Sequence, residues 1–267
     1  MANAHGDFIW YELLTTDADA AQAFYSDIVG WTATDSGQND IDYRILSCAE
    51  VGVGGLLQIT DDMKAAGARP VWLGYIAVDD VDKTAAAITA AGGAIQMPPT
   101  DIPNVGRIAM ATDPQGAPFY IMRGASDEQS HAFAYDHPRL GHCAWNELAT
   151  SDRAGAMQFY GELFGWKKDG EMDMGPLGAY EFVRRGAVDG IFAGVMTRPQ
   201  EMPVSLWTYY FRVADVDDAV RRTHAGGGEV IVGPLEIPGG EFSVNARDPQ
   251  GAMFAFVGPR RVGVGPG

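Results

Sequence analysis

Apolar and polar positions along this chain follow two periods, one of two residues and one of 3.6, and the same succession occurs four times. Residues 8–14 are an aromatic and aliphatic run that reads as a strand. Asp17 then stands as a cap before Ala21, Phe24, Tyr25 and Ile28, spaced i, i+3, i+4, i+7 along one helix face, and Gly30 stops that helix. Short strands are predicted over 31–34, 42–47 and 52–59, so the first unit reads strand, helix, three strands. A polar crossover over 60–70 precedes a strand over 71–78 and a helix opened by Asp80, carrying Val81, Ala85, Ile88 and Ala91 and ended by Gly92-Gly93. Strands over 94–97, 106–111 and 118–122 complete the second unit.

After a polar stretch over 124–138 the order returns. A strand over 142–149 leads to a helix capped near Ser151 or Asp152, with Ala156, Phe159, Tyr160 and Leu163 on one face. Strands near Trp166, Tyr180 and Ile191 follow, then a loop over 197–205, a strand over 206–213 and a helix over 216–224. Strands over 229–232, 242–246 and 253–257 close the pattern. The residues themselves repeat: Asp113-Pro114-Gln115-Gly116-Ala117 returns at Asp248-Pro249-Gln250-Gly251-Ala252, 135 positions later. At the same offset Phe24-Tyr25 matches Phe159-Tyr160, Gly30-Trp31 matches Gly165-Trp166, and Ile102-Pro103 matches Ile237-Pro238. So long a period excludes a solenoid and predicts two copies of one module.

The expected class is α+β: two tandem modules, each of paired βαβββ units, forming curved, cupped mixed sheets with helices outside. The modules span 7–123 and 139–258, joined by a linker over 124–138 and followed by a flexible tail over 259–267. The formal charge of −16 disfavours nucleic acid and anionic membrane as partners. Two cysteines at inequivalent repeat positions, no leader-like start and no apolar run of spanning length point to a cytoplasmic protein.

Paired βαβββ units carrying Phe-Tyr, Gly-Trp, Val-Asp-Asp-Val at 78–81 and Asp-Pro-Gln-Gly before the last strand resemble the glyoxalase/bleomycin-resistance/dioxygenase superfamily, also called vicinal oxygen chelate. The nearest resemblance is to tandem-module bacterial members. It implies a cavity in each module and, in the family's enzymes, a divalent metal held from the first, fourth, fifth and eighth strands by His or Gln, Glu, His and Glu. Carried onto this chain, those positions fall on Trp10 and Trp145, near Gly55 or Leu56 and near Gly190 or Ile191, on Leu73 and Thr208, and on Tyr120 and Ala255. None is a nitrogen or carboxylate ligand, so no metal and no other cofactor is expected. Of the histidines, His5, His131 and His137 fall in the terminus or linker, where solvation is expected. His142 alternates away from the cavity, and His224 sits at a helix end.

Glu12 and Glu147 each follow a cavity tryptophan by two residues and so share its face of the strand. A carboxylate in a partly apolar hollow is a candidate general base or hydrogen-bond acceptor; the alternative is that an amide or arginine satisfies it and it only supports the sheet. Trp10 and Trp145 either fill the space a metal would take or offer a flat wall to a ring. Tyr75, Tyr120, Thr208 and Tyr210 are further candidates to line the hollows, and Asp113 and Asp248 are expected to brace their turns.

The leading expectation is a metal-independent protein binding a small, partly aromatic molecule, acting as a monomer or weak homodimer because the modules pair within the chain. The competing one is an enzyme, of lyase, isomerase or hydroxylase type, with Glu12 or Glu147 as base.

Overall fold

The computed structural model describes residues 3–38, 41–135, 137–185 and 190–261. The first half runs β1 (Phe8–Thr15), α1 (Ala18–Val29), β2 (Thr32–Asp35), β3 (Tyr43–Cys48), β4 (Val51–Gln58), α2 (Asp61–Ala65), β5 (Val71–Ala77), α3 (Val81–Ala90), β6 (Ala94–Ile102), β7 (Gly106–Thr112) and β8 (Pro118–Gly124). The second runs β9 (Cys143–Thr150), α4 (Arg153–Phe164), β10 (Trp166–Asp173), β11 (Ala179–Arg185), β12 (Ile191–Thr197), β13 (Leu206–Arg212), α5 (Val216–Ala225), β14 (Glu229–Ile237), β15 (Glu241–Arg247) and β16 (Met253–Gly258). The helices start where the sequence places caps: Asp17, Asp80, Asp152 and Asp215 each accept a backbone N–H of the first turn. Gly30 and Gly165 end α1 and α4 at φ +85° and +72°, a left-handed conformation that costs glycine little.

Each half forms one eight-stranded mixed sheet, in the orders β2-β3-β4-β1-β5-β8-β7-β6 and β10-β11-β12-β9-β13-β16-β15-β14. Every βαβββ unit is an antiparallel meander whose last strand runs parallel to its first, as β1 does with β4 and β9 with β12. The α+β tandem architecture is therefore as the residues imply.

Several local features differ from the sequence pattern. Residues 61–65 form a short helix within the first crossover, capped by Thr60. β6 and β14 run on through Pro98-Pro99 and Pro234, which edge strands tolerate because one side of the backbone has no ladder bonds to lose. The repeat is also not uniform. Glu12 pairs with Gly55 and Glu147 with Gly194, so the offset grows from 135 to 139 within β10–β12. The shorter loop before β13 returns it to 135 at Trp72 and Trp207. The tail beyond Arg261 lies outside the described residues.

The chain groups into two compact units that are not its two sequence modules. One comprises residues 1–11, 73–135 and 145–208; the other 12–72, 136–144 and 209–267. In the first, Tyr160 stacks on Trp166 at 5.1 Å and meets Trp207 edge-on at 5.4 Å, with Phe8, Phe119 and Phe192 around them. In the second, Tyr25 stacks on Trp31 at 5.9 Å and meets Trp72 edge-on at 5.3 Å, beside Phe211 and Phe254. Each of these rings is at most 5% exposed, and burial of each contributes about 1.5–3 kcal/mol.

The stretch between the halves is not a free polar linker in its middle. Ala132 and Phe133 are buried in the first unit, and the Tyr135 hydroxyl accepts the Phe8 N–H at 3.0 Å. His5, with 32% of its side chain exposed, is also engaged by protein: its Nε2 meets the Leu163 carbonyl at 2.9 Å, and its Nδ1 accepts the Asp79 N–H at 3.3 Å. No helix among the described residues is long and apolar enough to cross a membrane.

Candidate functional site

The clearest polar centre on a sheet face lies wholly within the first compact unit. Trp145 and Glu147 stand two apart on β9, so the pleat turns both to one side. On the neighbouring β12, Gly194 pairs with Glu147, and on the next strand Phe182 pairs with Gly194. Tyr180, two residues before Phe182, lays its ring across Gly194 in the space a Cβ would occupy. Only glycine leaves that room. The phenol thereby reaches β9, where its hydroxyl accepts the Trp145 indole N–H at 2.7 Å and donates to Glu147 Oε2 at 2.8 Å.

That hydroxyl uses both its donor and an acceptor lone pair, which holds the indole and the carboxylate in fixed orientations. The surroundings are apolar. Tyr180 packs with Ala149 and Met196, and Trp145, Met174, Leu177, Phe182 and Met202 close around them while staying partly exposed. Trp145 meets Phe182 edge-on at 6.2 Å. Glu147 is half-buried, and the Tyr180 hydroxyl is one of its partners.

The placing of a tyrosine over a glycine beside a glutamate recurs in the second unit. Glu12, 3% exposed, pairs with Gly55, and Ile45 faces Gly55 across β3–β4. Tyr43, again two residues before the one facing the glycine, lays its hydroxyl over Gly55 where a side chain would be. Tyr43 and Tyr180 are structural equivalents 137 apart, and a fixed offset of 135 passes over them.

The remaining candidates divide between the units. Tyr75 and Tyr120 pair across β5–β8 and stack at 4.3 Å, both nearly buried, in the unit that also holds half-buried Trp10. Thr208 is buried on β13. Tyr210, in the second unit, exchanges hydrogen bonds with the Asn245 amide at 3.1–3.2 Å. Asp113 and Asp248 brace their turns as expected: Oδ1 of Asp113 accepts the Gln115 and Ala117 amides, and Oδ1 of Asp248 those of Gln250, Gly251 and Ala252. Burial raises both carboxyls above the usual range against the pull of those amides.

The donor set does not suit a divalent ion. Beside Glu12 and Glu147 the fourth strand of each first unit presents Gly55 and Gly194, neither of which has a side chain to coordinate. With Trp10, Leu73 and Tyr120 in one module and Trp145, Thr208 and Ala255 in the other, no imidazole or carboxylate stands at a ligand position. Among the described residues no group of three His, Cys, Asp or Glu is arranged to hold a metal. A concavity of about 640 Å³ beside β2 and β3 is polar, and its Arg44 is engaged by Asp19, Asp42 and Gln22.

A family model described as the Glyoxalase/Bleomycin resistance protein/Dioxygenase superfamily matches residues 8–121 and again 139–256. A protein of Mycobacterium bovis and Mycobacterium tuberculosis, provisionally named glyoxylase CFP32, is 33% identical across 94% of this chain and 94% of its own. The anthracycline biosynthesis protein DnrV of Streptomyces peucetius is 29% identical across 95% of this chain and 94% of its own. Among solved structures, a Mn(II)-bound glyoxalase from Novosphingobium aromaticivorans superposes with a TM-score of 0.66 at 18% identity, over 97% of this chain and 84% of that one. A catechol 2,3-dioxygenase gives 0.61 at 15% identity, over 97% and 96%. Likeness at such identity carries the fold alone.

Proposed function

This chain belongs to the glyoxalase/bleomycin resistance protein/dioxygenase superfamily, and on that premise we propose that it binds a small, partly aromatic molecule without the divalent metal of the family's enzymes. The observation that carries this reading is the Tyr180 hydroxyl, bonded at once to Trp145 and Glu147 on the face where metal ligands would project. A preorganised indole wall beside a carboxylate suits a ring bearing a hydrogen-bond donor. The acidic surface favours a neutral or cationic ligand over an anionic one. A relative named for anthracycline biosynthesis agrees with a ring-bearing ligand.

Metal analysis of the purified chain, with melting curves before and after chelation, tests it. The expected outcome is no stoichiometric manganese, zinc, nickel or iron and an unchanged melting temperature. A tightly held ion whose removal lowers that temperature overturns the reading.

A second reading, an enzyme using Glu147 as base, is favoured by the Tyr180 hydroxyl beside it, since a phenol can steady a developing oxyanion. It ranks lower because that proton is directed at Glu147 itself. Glu12→Gln with Glu147→Gln abolishes turnover if this second reading holds.

A further inference from the structure

The edge strand β10 contains Asp169-Gly170, the only Asp-Gly pair among the described residues. There the register with β11 passes from Lys168 opposite Val183 to Glu171 opposite Glu181, so Asp169 and Gly170 together face Phe182. This is a bulge, and Gly170 holds it at φ +99°, where a side chain is poorly tolerated. Both residues are exposed; 48% of the Asp169 side chain meets solvent, and its ion pair with Arg184 is long, at 3.9 Å. The bulge is not a demand of the fold. In the first module β2 pairs with β3 residue for residue, from Thr32 opposite Ser47 to Asp35 opposite Arg44.

We infer that Asp169 is a site of spontaneous backbone modification, converting to isoaspartate, and that this change disturbs the Tyr180 centre. The Gly170 nitrogen attacks the Asp169 side-chain carboxyl carbon. A C–N bond forms, and the carboxyl O–H leaves with the amide proton as water, giving a cyclic imide. Water then adds back at either imide carbonyl. Opening at the main-chain carbonyl routes the backbone through Cβ and Cγ, one methylene longer, with no oxidant or reductant involved. An intramolecular attack of this kind is limited by reaching the aligned geometry. Gly170 puts no Cβ beside the attacking nitrogen, the bulge breaks the ladder toward β11, and the edge position leaves the other side of the strand unpaired. The consequence is close by. Met172 pairs with Tyr180, whose hydroxyl holds Trp145 and Glu147, so a lengthened β10 shifts its register against the strand that carries the site.

The full chain, labelled with ¹³C at the methionine methyls, is aged in buffer for weeks below its melting temperature. A urea-unfolded sample and Asp169→Glu, whose imide would need a larger and slower-forming ring, are aged beside it. Isoaspartate is counted by labelling with an isoaspartyl methyltransferase and placed by peptide fragmentation. The folded native chain is expected to gain isoaspartate at 169, with a second Met172 signal growing in proportion, and Asp169→Glu to gain neither. Isoaspartate at 169 in the unfolded sample alone shows that the fold protects the bond and overturns the inference. So does modification confined to Asp189, which also precedes a glycine. A Met172 signal that stays single while 169 converts, or that splits equally in Asp169→Glu, overturns the link to the Tyr180 centre.

Discussion

Tyr25 donates its hydroxyl proton to Asp248 Oδ2 at 2.9 Å across 223 residues of sequence, and accepts the Trp72 indole N–H at 2.9 Å. Tyr160 repeats this with Asp113 at 3.1 Å and Trp207 at 2.9 Å. The helix tyrosine of one module thus reaches the Asp-Pro-Gln-Gly turn of the other, twice. Removing either hydroxyl leaves a buried indole N–H and a carboxylate oxygen without that partner. Tyr25→Phe and Tyr160→Phe are each expected to lower unfolding free energy by about 1–3 kcal/mol in urea titrations. The two links share no residue, so the double variant should lose close to the sum.

Burial raises the Asp113 and Asp248 carboxyls, so each holds its proton more tightly folded than unfolded. Their stabilising contribution is then complete below the ordinary aspartate value near ~4 and is lost as pH rises through the folded value. The stability gap between the native chain and Asp248→Asn should therefore be widest near pH ~4 and narrow toward neutrality, read from chemical denaturation at several pH values. A gap that widens with pH would show that the three amides on Oδ1 hold the group ionised instead.

Asp7 and Arg185 form an ion pair with only 4% and 9% of their surfaces exposed, and the guanidinium lies 4.0 Å from the Tyr135 ring centroid. Burial lowers the Arg185 pKa, a sign that its charge depends on local partners. Asp7→Ala strands that cation and is expected to cost about 3–5 kcal/mol by urea unfolding. Combining it with Arg185→Met removes the stranded charge, and the pair should be more stable than Asp7→Ala alone.

The fold was largely legible because its determinants are local and repeated: caps at Asp17, Asp80, Asp152 and Asp215, and glycine stops at Gly30 and Gly165. Strand alternation also placed Trp145 and Glu147 on one face, as their shared bond to Tyr180 requires. What the repeated motifs do was less legible. Phe-Tyr, Gly-Trp and Asp-Pro-Gln-Gly announce themselves by recurrence, yet their polar atoms bind across modules. The Trp31 and Trp166 indoles, for instance, donate to the carbonyls of Gly141 and Gly6 at 2.7 and 2.9 Å. Tyr43 and Tyr180 went unnoticed for the opposite reason: at 137 apart they fall two residues off the repeat, and the meeting of Tyr180 with Glu147 depends on pairing between strands.

Gly194 is the residue on which that meeting turns. An added methyl there would overlap the Tyr180 ring, so Gly194→Ala must push the phenol off the Trp145 and Glu147 contacts. Overpacking of this kind costs about 1–3 kcal/mol, which a domain of ordinary stability survives. Tyr180→Phe keeps the ring in place and deletes only the hydroxyl. If the hydroxyl organises the site, both variants should lose the rise in melting temperature that a bound aromatic ligand is expected to give the native chain, although only Gly194→Ala disturbs packing. If the ring alone matters, Tyr180→Phe keeps that rise while Gly194→Ala abolishes it. Gly55→Ala is the matched control, since it displaces Tyr43 in the other compact unit and should leave the second module's response intact.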